Sequence, residues 1–163
     1  MADILIPTVA QGLMWALMAL GVYITFRVLD IADLSVEGSF PLGAAVAATA
    51  LVSGYGVTAA FLLAAIAGAL AGIVTGILTT KLKIPPLLAG ILTMIGLYSV
   101  NLHVMGKANV ALLRVDTVFS YAAGMGLTSD MAMMAVGLVG VMLVGVILYW
   151  FFGTELGTAI RAT

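Results

Sequence analysis

Residues 29–40 read LDIADLSVEGSF, and this polar stretch separates an apolar run long enough to cross a bilayer from one that is too short. It contains three carboxylates, Asp30, Asp33 and Glu37, followed by Gly38 and Ser39. Polar residues beside an apolar core are costly in a membrane, and they usually mark functional sites. The stretch is therefore a boundary between helices and a candidate functional site.

The composition indicates a membrane protein. The chain has 163 residues, of which 64% are hydrophobic and 8% charged, whereas soluble domains carry about 25% charged residues. A surface with so few charges would aggregate in water. The apolar runs are continuous rather than alternating, which favours membrane helices over a β-barrel.

Several function classes find no support in the sequence. The net charge is -1 and no basic cluster is present, so no nucleic-acid partner is expected. There are no cysteines and one histidine, and no spacing is typical of metal ligands or of a nucleophile beside a base. We therefore expect no catalytic residue, no metal, no cofactor and no enzyme.

Five apolar runs predict an all-α, polytopic transmembrane helix bundle in membrane lipid, because a spanning helix needs about 20 apolar residues. The second run is short, and we expect it to be a broken or re-entrant helix. The segment from Gly106 to Thr128 is predicted to be an outside loop with a short helix, and Ser129 or Asp130 to cap the last run. The runs are Ile4 to about Phe26, Phe40 to Val52, Val57 to about Thr79, Pro85 to about Met105, and Met131 to Phe152.

The distribution of basic residues predicts the orientation. If all five runs cross, four cations lie on one side (Arg27, Lys81, Lys83, Arg161) and two on the other (Lys107, Arg114). Cytoplasmic loops carry the excess of Lys and Arg. The N-terminus is then outside and the C-terminus cytoplasmic, unless the second run fails to cross.

Small residues recur every fourth position along the third run, and they predict close packing against another helix. Such residues let helix backbones approach in lipid, where no hydrophobic force drives association. The packing partner is a helix of the same chain or of a second copy, and the former is favoured. The residues of this small-residue row are Ala60, Ala64, Gly68, Gly72, Gly76 and Thr80.

Four residues of the fourth run, Met94, Tyr98, Asn101 and Met105, lie on one narrow arc, since steps of four, three and four residues stay aligned on a helix. Asn101 needs a hydrogen-bond partner within a bilayer. One hypothesis is that this arc forms the wall of a translocation pathway. Ordinary interhelical packing, with Asn101 bonded to a neighbouring helix, is the favoured alternative.

The polar stretch itself allows two interpretations. Asp33 or Ser35 could cap a new helix by accepting from its free N–H groups. Gly38, Ser39 and Pro41 then suggest a broken helix entering the membrane, which is tolerated where it lines a water-filled path. A plain loop before a capped second helix is an equal alternative.

Two motifs carry a resemblance to a known family. Asp33-Leu34-Ser35-Val36-Glu37-Gly38-Ser39, followed by Leu42-Gly43-Ala44-Ala45-Val46-Ala47-Ala48, resembles the signature of bacterial ABC importer permeases of the branched-chain amino acid and ribose type. The chain departs from it by Glu37 before the glycine. Across its whole length it is similar to permeases linked to tryptophan or tyrosine uptake, through residues 12–22, 80–84, 88–94 and 105–110.

The resemblance implies a single permease domain over residues 1–163 in a bacterial inner membrane. It makes a pathway at a dimer interface the favoured role of the stretch from Ser35 to Ser39. It also implies a second permease copy, a cytoplasmic ABC ATPase, and a periplasmic or lipoprotein solute-binding protein as partners. Gly157 and Arg161 match the start of the cytoplasmic coupling helix. Since such permeases are longer, we expect the N-terminal portion of a longer domain.

Three hypotheses of function remain. The chain is the membrane subunit of an importer for a small, amino acid-like solute, energised by a separate ATPase, since it has no phosphate-binding Walker motif of its own. Alternatively, it is an ATP-independent channel or secondary carrier. The third alternative is a membrane scaffold that transports nothing.

Overall fold

The computed structural model describes residues 2–28, 30–112, 115–124, 126 and 128–161. Over this part of the chain, the predicted all-helical class is confirmed. Four helical segments are long and apolar enough to cross a membrane: Ile4–Val28, Val57–Thr80, Pro86–Met105 and Ser129–Phe152. The helices are α1 (Ala2–Tyr23, extended by a π-helical turn, Ile24–Val28), α2 (Val36–Val52), α3 (Val57–Thr80), α4 (Pro86–Met105), α5 (Val118–Ala123), α6 (Ser129–Phe152) and α7 (Glu155–Arg161).

Helix α2 is apolar but short. Its 17 residues give a length of about 26 Å, less than the roughly 30 Å of a bilayer core. The helix continues through Gly38, Ser39 and Pro41, so the predicted break is narrower than the sequence suggested. The non-helical part of the polar stretch before α2 runs from Asp30 to Ser35.

The predicted N-cap of α6 is wrong by one or two residues. Thr128 has extended backbone angles, and its side-chain oxygen accepts a hydrogen bond from the Met131 N–H at 3.4 Å. Ser129 is therefore the first helical residue. Asp130 lies in the first turn, where a carboxylate suits the positive end of the helix dipole.

Two compact units are present in the chain. The first pairs α1 with α6, and it includes α5 and α7. In this unit, a Cβ built on Gly137 would lie 2.9 Å from the Leu13 Cβ. The close approach of the two helices explains why Ala10 and Ala132 are fully buried.

The second unit, Ile31–Thr117, contains α2, α3 and α4. The buried Thr75 hydroxyl donates to the Thr93 hydroxyl at 3.0 Å and joins α3 to α4. At the far end of α2, the Thr49 hydroxyl donates to the Val104 carbonyl of α4 at 3.4 Å. These two bonds join α4 to α3 and to α2, in addition to the close packing of the helices.

Candidate functional site

The start of α2 is held by the carboxylate of Asp33, three residues before the first helical residue, Val36. One oxygen of Asp33 accepts from the Ser35 N–H at 2.8 Å, and the other accepts from the Ser35 hydroxyl at 3.0 Å. Ser35 is the N-cap residue of α2, but its hydroxyl donates to Asp33 instead of accepting from the helix. Asp33 accepts from the N–H of Ser35 itself, so the predicted bond from a side chain to the first turn of α2 is not made. The two bonds fix the direction in which α2 leaves the polar stretch.

This turn lies against Gly90 of α4. A Cβ on Gly90 would be 2.7 Å from the Asp33 Oδ1 and 2.7 Å from the Leu34 N. Real Cβ atoms do not approach other atoms that closely, so a side chain cannot be accommodated without moving the turn. The local sequence of α4 does not indicate which segment packs on Gly90, so its role in the site could not be predicted.

We expect Gly90→Ala to displace the Asp33–Ser35 turn and to destabilise the second unit by about 1–3 kcal/mol, the usual effect of overpacking. Thermal unfolding of the purified protein in detergent measures this loss. Gly96→Ala is the matched control on the same helix, since no atom of the described structure lies within 4 Å of a Cβ there. Equal melting temperatures for the two variants would contradict the prediction.

Gly38 makes a close contact between α2 and α4. A Cβ at this position would lie 2.9 Å from the Met94 Cα and 3.2 Å from the Leu97 Cδ1. The first neighbour is backbone, which cannot rotate away as a side chain can. Gly38 therefore sets the distance between the two helices, in addition to any role in a pathway.

Beside this contact, a groove of about 550 Å³ opens between α2 and α4. Its volume falls within the range of about 300–1,000 Å³ that is usual for small-molecule sites. The walls are mainly apolar and contain two thioethers and one tyrosine ring. The lining residues are Glu37, Gly38, Pro41, Met94, Ile95, Tyr98, Asn101, Leu102 and Met105.

Asn101 is the unusual member of this lining. Its side chain is 7% exposed, and its Oδ1 atom is buried with no hydrogen-bond partner among the described residues. An unsatisfied buried polar atom costs about 1–3 kcal/mol. The predicted bond from Asn101 to a neighbouring helix is therefore not made by this oxygen, which is left as a buried acceptor without a partner beside the groove.

The structure brings together five of the eight residues that the sequence analysis assigned to a pathway: Glu37, Gly38, Met94, Tyr98 and Asn101. The whole arc of α4, including Met105, faces this one groove. The other three, Asp33, Ser35 and Ser39, do not line the groove. Asp33 and Ser35 bond to each other at the start of α2, and the Ser39 hydroxyl donates to the Val36 carbonyl at 3.4 Å. The pathway role of all eight stays a prediction.

Most of the small-residue row does not lie on the face of α3 that packs against the other helices of the second unit. Steps of four residues advance about 40° past a full turn, so the row winds around α3. Ala60 is buried and Ala64 half-buried, where Ala64 contacts α2, but Gly72 and Gly76 are exposed. A Cβ on Gly68, Gly72 or Gly76 would meet no atom within 4 Å in the described structure. The close packing of these three glycines against another helix, of the same chain or of a second copy, stays a prediction.

Gly157 and Arg161 both lie on α7, directly after α6. The Gly157 N–H donates to the Thr154 hydroxyl at 3.4 Å. A Cβ on Gly157 would overlap the Phe151 carbonyl oxygen. The glycine is needed because α7 folds back closely against the end of α6, and this turn sets the direction of the segment that carries Arg161.

Fold and site together define a multi-pass helical membrane protein with a small, partly polar groove between two of its helices. The chain belongs to the family of branched-chain amino acid transport system permease components, whose model matches residues 4–163. The motifs that resemble the signature of such permeases predicted this membership. No solved structure matches the chain significantly.

Two curated relatives are similar to this chain. A tyrosine transport system permease protein of Clostridioides difficile (strain R20291) is 40% identical over 116 residues, which are 71% of this chain and 39% of the relative. An uncharacterised protein of Rickettsia prowazekii (strain Madrid E) is 38% identical over 118 residues, 72% of this chain and 41% of the relative. The aligned part thus spans about two-fifths of each relative.

Proposed function

We propose that this chain is the membrane-spanning part of an ABC importer for a small, amino acid-like solute. The groove between α2 and α4 carries the proposal, because it combines apolar walls with an unsatisfied amide at Asn101. It lies directly beside the segment that resembles the family signature. A second copy would complete the pathway, and residues 1–163 would form the first portion of one permease domain.

Energy would come from a separate cytoplasmic ATPase. Closure of the ATPase dimer would bias the helices between two packings, and the solute would change this equilibrium little by itself. A periplasmic or lipoprotein solute-binding protein would deliver the solute at the outer face. The name of the clostridial relative supports tyrosine as the first solute to try.

The test is uptake by proteoliposomes that contain the full-length protein and the ATPase that co-purifies with it from native membranes. We expect tritiated tyrosine to accumulate only when ATP is supplied on the side of the ATPase. Uptake without ATP would favour a channel or carrier. Absence of both a co-purifying ATPase and uptake of any amino acid would leave the scaffold hypothesis.

The proposed orientation places the N-terminus outside a bacterial inner membrane and the C-terminus in the cytoplasm, provided that α2 crosses. The chain contains no cysteine, so single-cysteine variants report one position each. We expect Ser53→Cys, in the exposed turn after α2, to react with an impermeant maleimide in intact cells with a permeabilised outer layer. Lys81→Cys is expected to react only after lysis. Protection of Ser53→Cys until lysis would contradict this orientation with a crossing α2.

A further inference from the structure

The charged side chains that line the groove between α2 and α4 are of one sign only. Its single ionisable carboxylate is Glu37, and no Lys, Arg or His lies among the lining residues of the described structure. A negatively charged ligand group would find no cation there. A protonated amine would find a carboxylate, with which charge-assisted hydrogen bonds are short and strong.

The polar groups lie at two levels of the groove. Gly38 contacts Met94, and Thr49 bonds to Val104, so α2 and α4 run in the same direction. Glu37 is therefore near the level of Met94, whereas Asn101 lies seven residues further along α4. Seven residues of helix rise about 10 Å. One amine cannot contact both groups, so a bound molecule has to present two separate polar ends.

The surface between these levels is apolar and aromatic. Tyr98 lies midway between Met94 and Asn101 in the sequence of α4, and Ile95 and Pro41 complete the walls. Such a surface suits the aromatic or aliphatic middle portion of a bound molecule. Asn101 can then form a hydrogen bond with a polar group at the far end of that molecule. The unsatisfied amide is the second observation that points to a ligand, independent of the carboxylate.

We infer that the groove binds a two-ended primary amine, with its ammonium at Glu37, an apolar or aromatic body beside Tyr98, and a neutral hydrogen-bonding group at Asn101. The inference rests on the proposed transport function and names the kind of solute. A carboxylate next to the amine would also lie near Glu37 and be repelled. An amine without that carboxylate should therefore bind more tightly than the corresponding amino acid.

The test is equilibrium dialysis of the full-length protein in nanodiscs with tritiated tyramine. Competitors differ by one group each: tyrosine adds a carboxylate, phenethylamine lacks the hydroxyl, and 3-(4-hydroxyphenyl)propionate has an acid in place of the amine. We expect tyramine to bind saturably and best. The propionate is expected to bind at least about tenfold more weakly, as loss of a charge-assisted bond predicts.

Two variants separate the two ends of the groove. Glu37→Gln should weaken tyramine about tenfold, and Asn101→Leu should remove the preference for tyramine over phenethylamine. Asp130→Asn and Asn109→Leu are matched controls outside the groove and should bind as the wild type does. Equal binding of the propionate, no effect of Glu37→Gln, or no saturable binding of any probe would overturn the inference.

The outcomes also separate this inference from the proposed function. ATP-driven uptake together with tyramine binding that is insensitive to Glu37→Gln would remove the inference and leave the importer in place. Amine binding that depends on Glu37, in a protein whose uptake needs no ATP, would support the groove and remove the ATP-driven mechanism.

Discussion

Gly38→Leu is expected to abolish uptake while the protein still inserts into the membrane, because the substitution forces α2 away from α4. A Cβ at position 38 would already lie 2.9 Å from the Met94 Cα. Leucine adds three further carbons at a place where the neighbour is backbone. Separation of the helices would distort the groove, since Glu37, Gly38 and Met94 all line it.

Two substitutions of increasing size at position 38 test this prediction. We expect Gly38→Ala to lower stability by about 1–3 kcal/mol and uptake about tenfold, and Gly38→Leu to leave no measurable uptake. Membrane abundance should be unchanged in both. The control is Gly43→Ala on the same helix, where a Cβ would meet the Ala64 carbonyl at 3.9 Å, an ordinary contact. Wild-type uptake by Gly38→Ala would show that the two helices can separate without functional loss.

The sequence predicted the helices well because membrane spans depend on length and hydropathy, which are local properties. The third run was expected to end near Thr79 and ends at Thr80. The arc of α4 was also predictable, since a helix fixes which of its own residues share a face. Tyr98 and Asn101 therefore line one groove, as their spacing indicated.

What the sequence could not predict depends on contacts between distant segments. Gly90 is 57 residues from Asp33, and only the packing of α4 against the polar stretch shows why it must be small. The small-residue row shows a second limit of local patterns. Four-residue spacing indicates close packing in general, but the packed face of α3 follows the 3.6-residue period through Ala60, Ala71 and Thr75. Gly72 consequently lies off that face.

Glu37 is unusual both in the sequence and in the structure. The sequence marked it as a departure from the family signature and as a candidate pathway residue, but did not indicate which ligand chemistry it suits. In the structure it is exposed in the first turn of α2 and lines the groove. A carboxylate at that place determines the sign of charge that the groove accepts, so the departure has a direct chemical consequence for the solute.

The second large effect is expected at the turn between α6 and α7. A Cβ on Gly157 would overlap the Phe151 carbonyl oxygen and come too close to the Phe152 backbone. Gly157→Ala must therefore move α7 away from the end of α6. If α7 is the coupling helix, this displacement prevents the ATPase from driving the membrane helices.

We expect Gly157→Ala to reduce ATP-driven uptake at least about tenfold, which corresponds to the roughly 1–3 kcal/mol of an overpacked contact, while ATP hydrolysis by the assembled transporter continues. Hydrolysis and uptake measured on the same proteoliposomes give the ratio that reports coupling.

Gly153→Ala is the matched control four residues earlier, because a Cβ there would lie 3.3 Å from the Trp150 carbonyl oxygen and requires only a small adjustment. Uptake and hydrolysis that both stay at wild-type levels in Gly157→Ala would mean that α7 does not transmit the motion of the ATPase. A loss of both activities in equal proportion would instead indicate that the ATPase no longer binds, and Gly157 would then be needed for assembly and not for coupling.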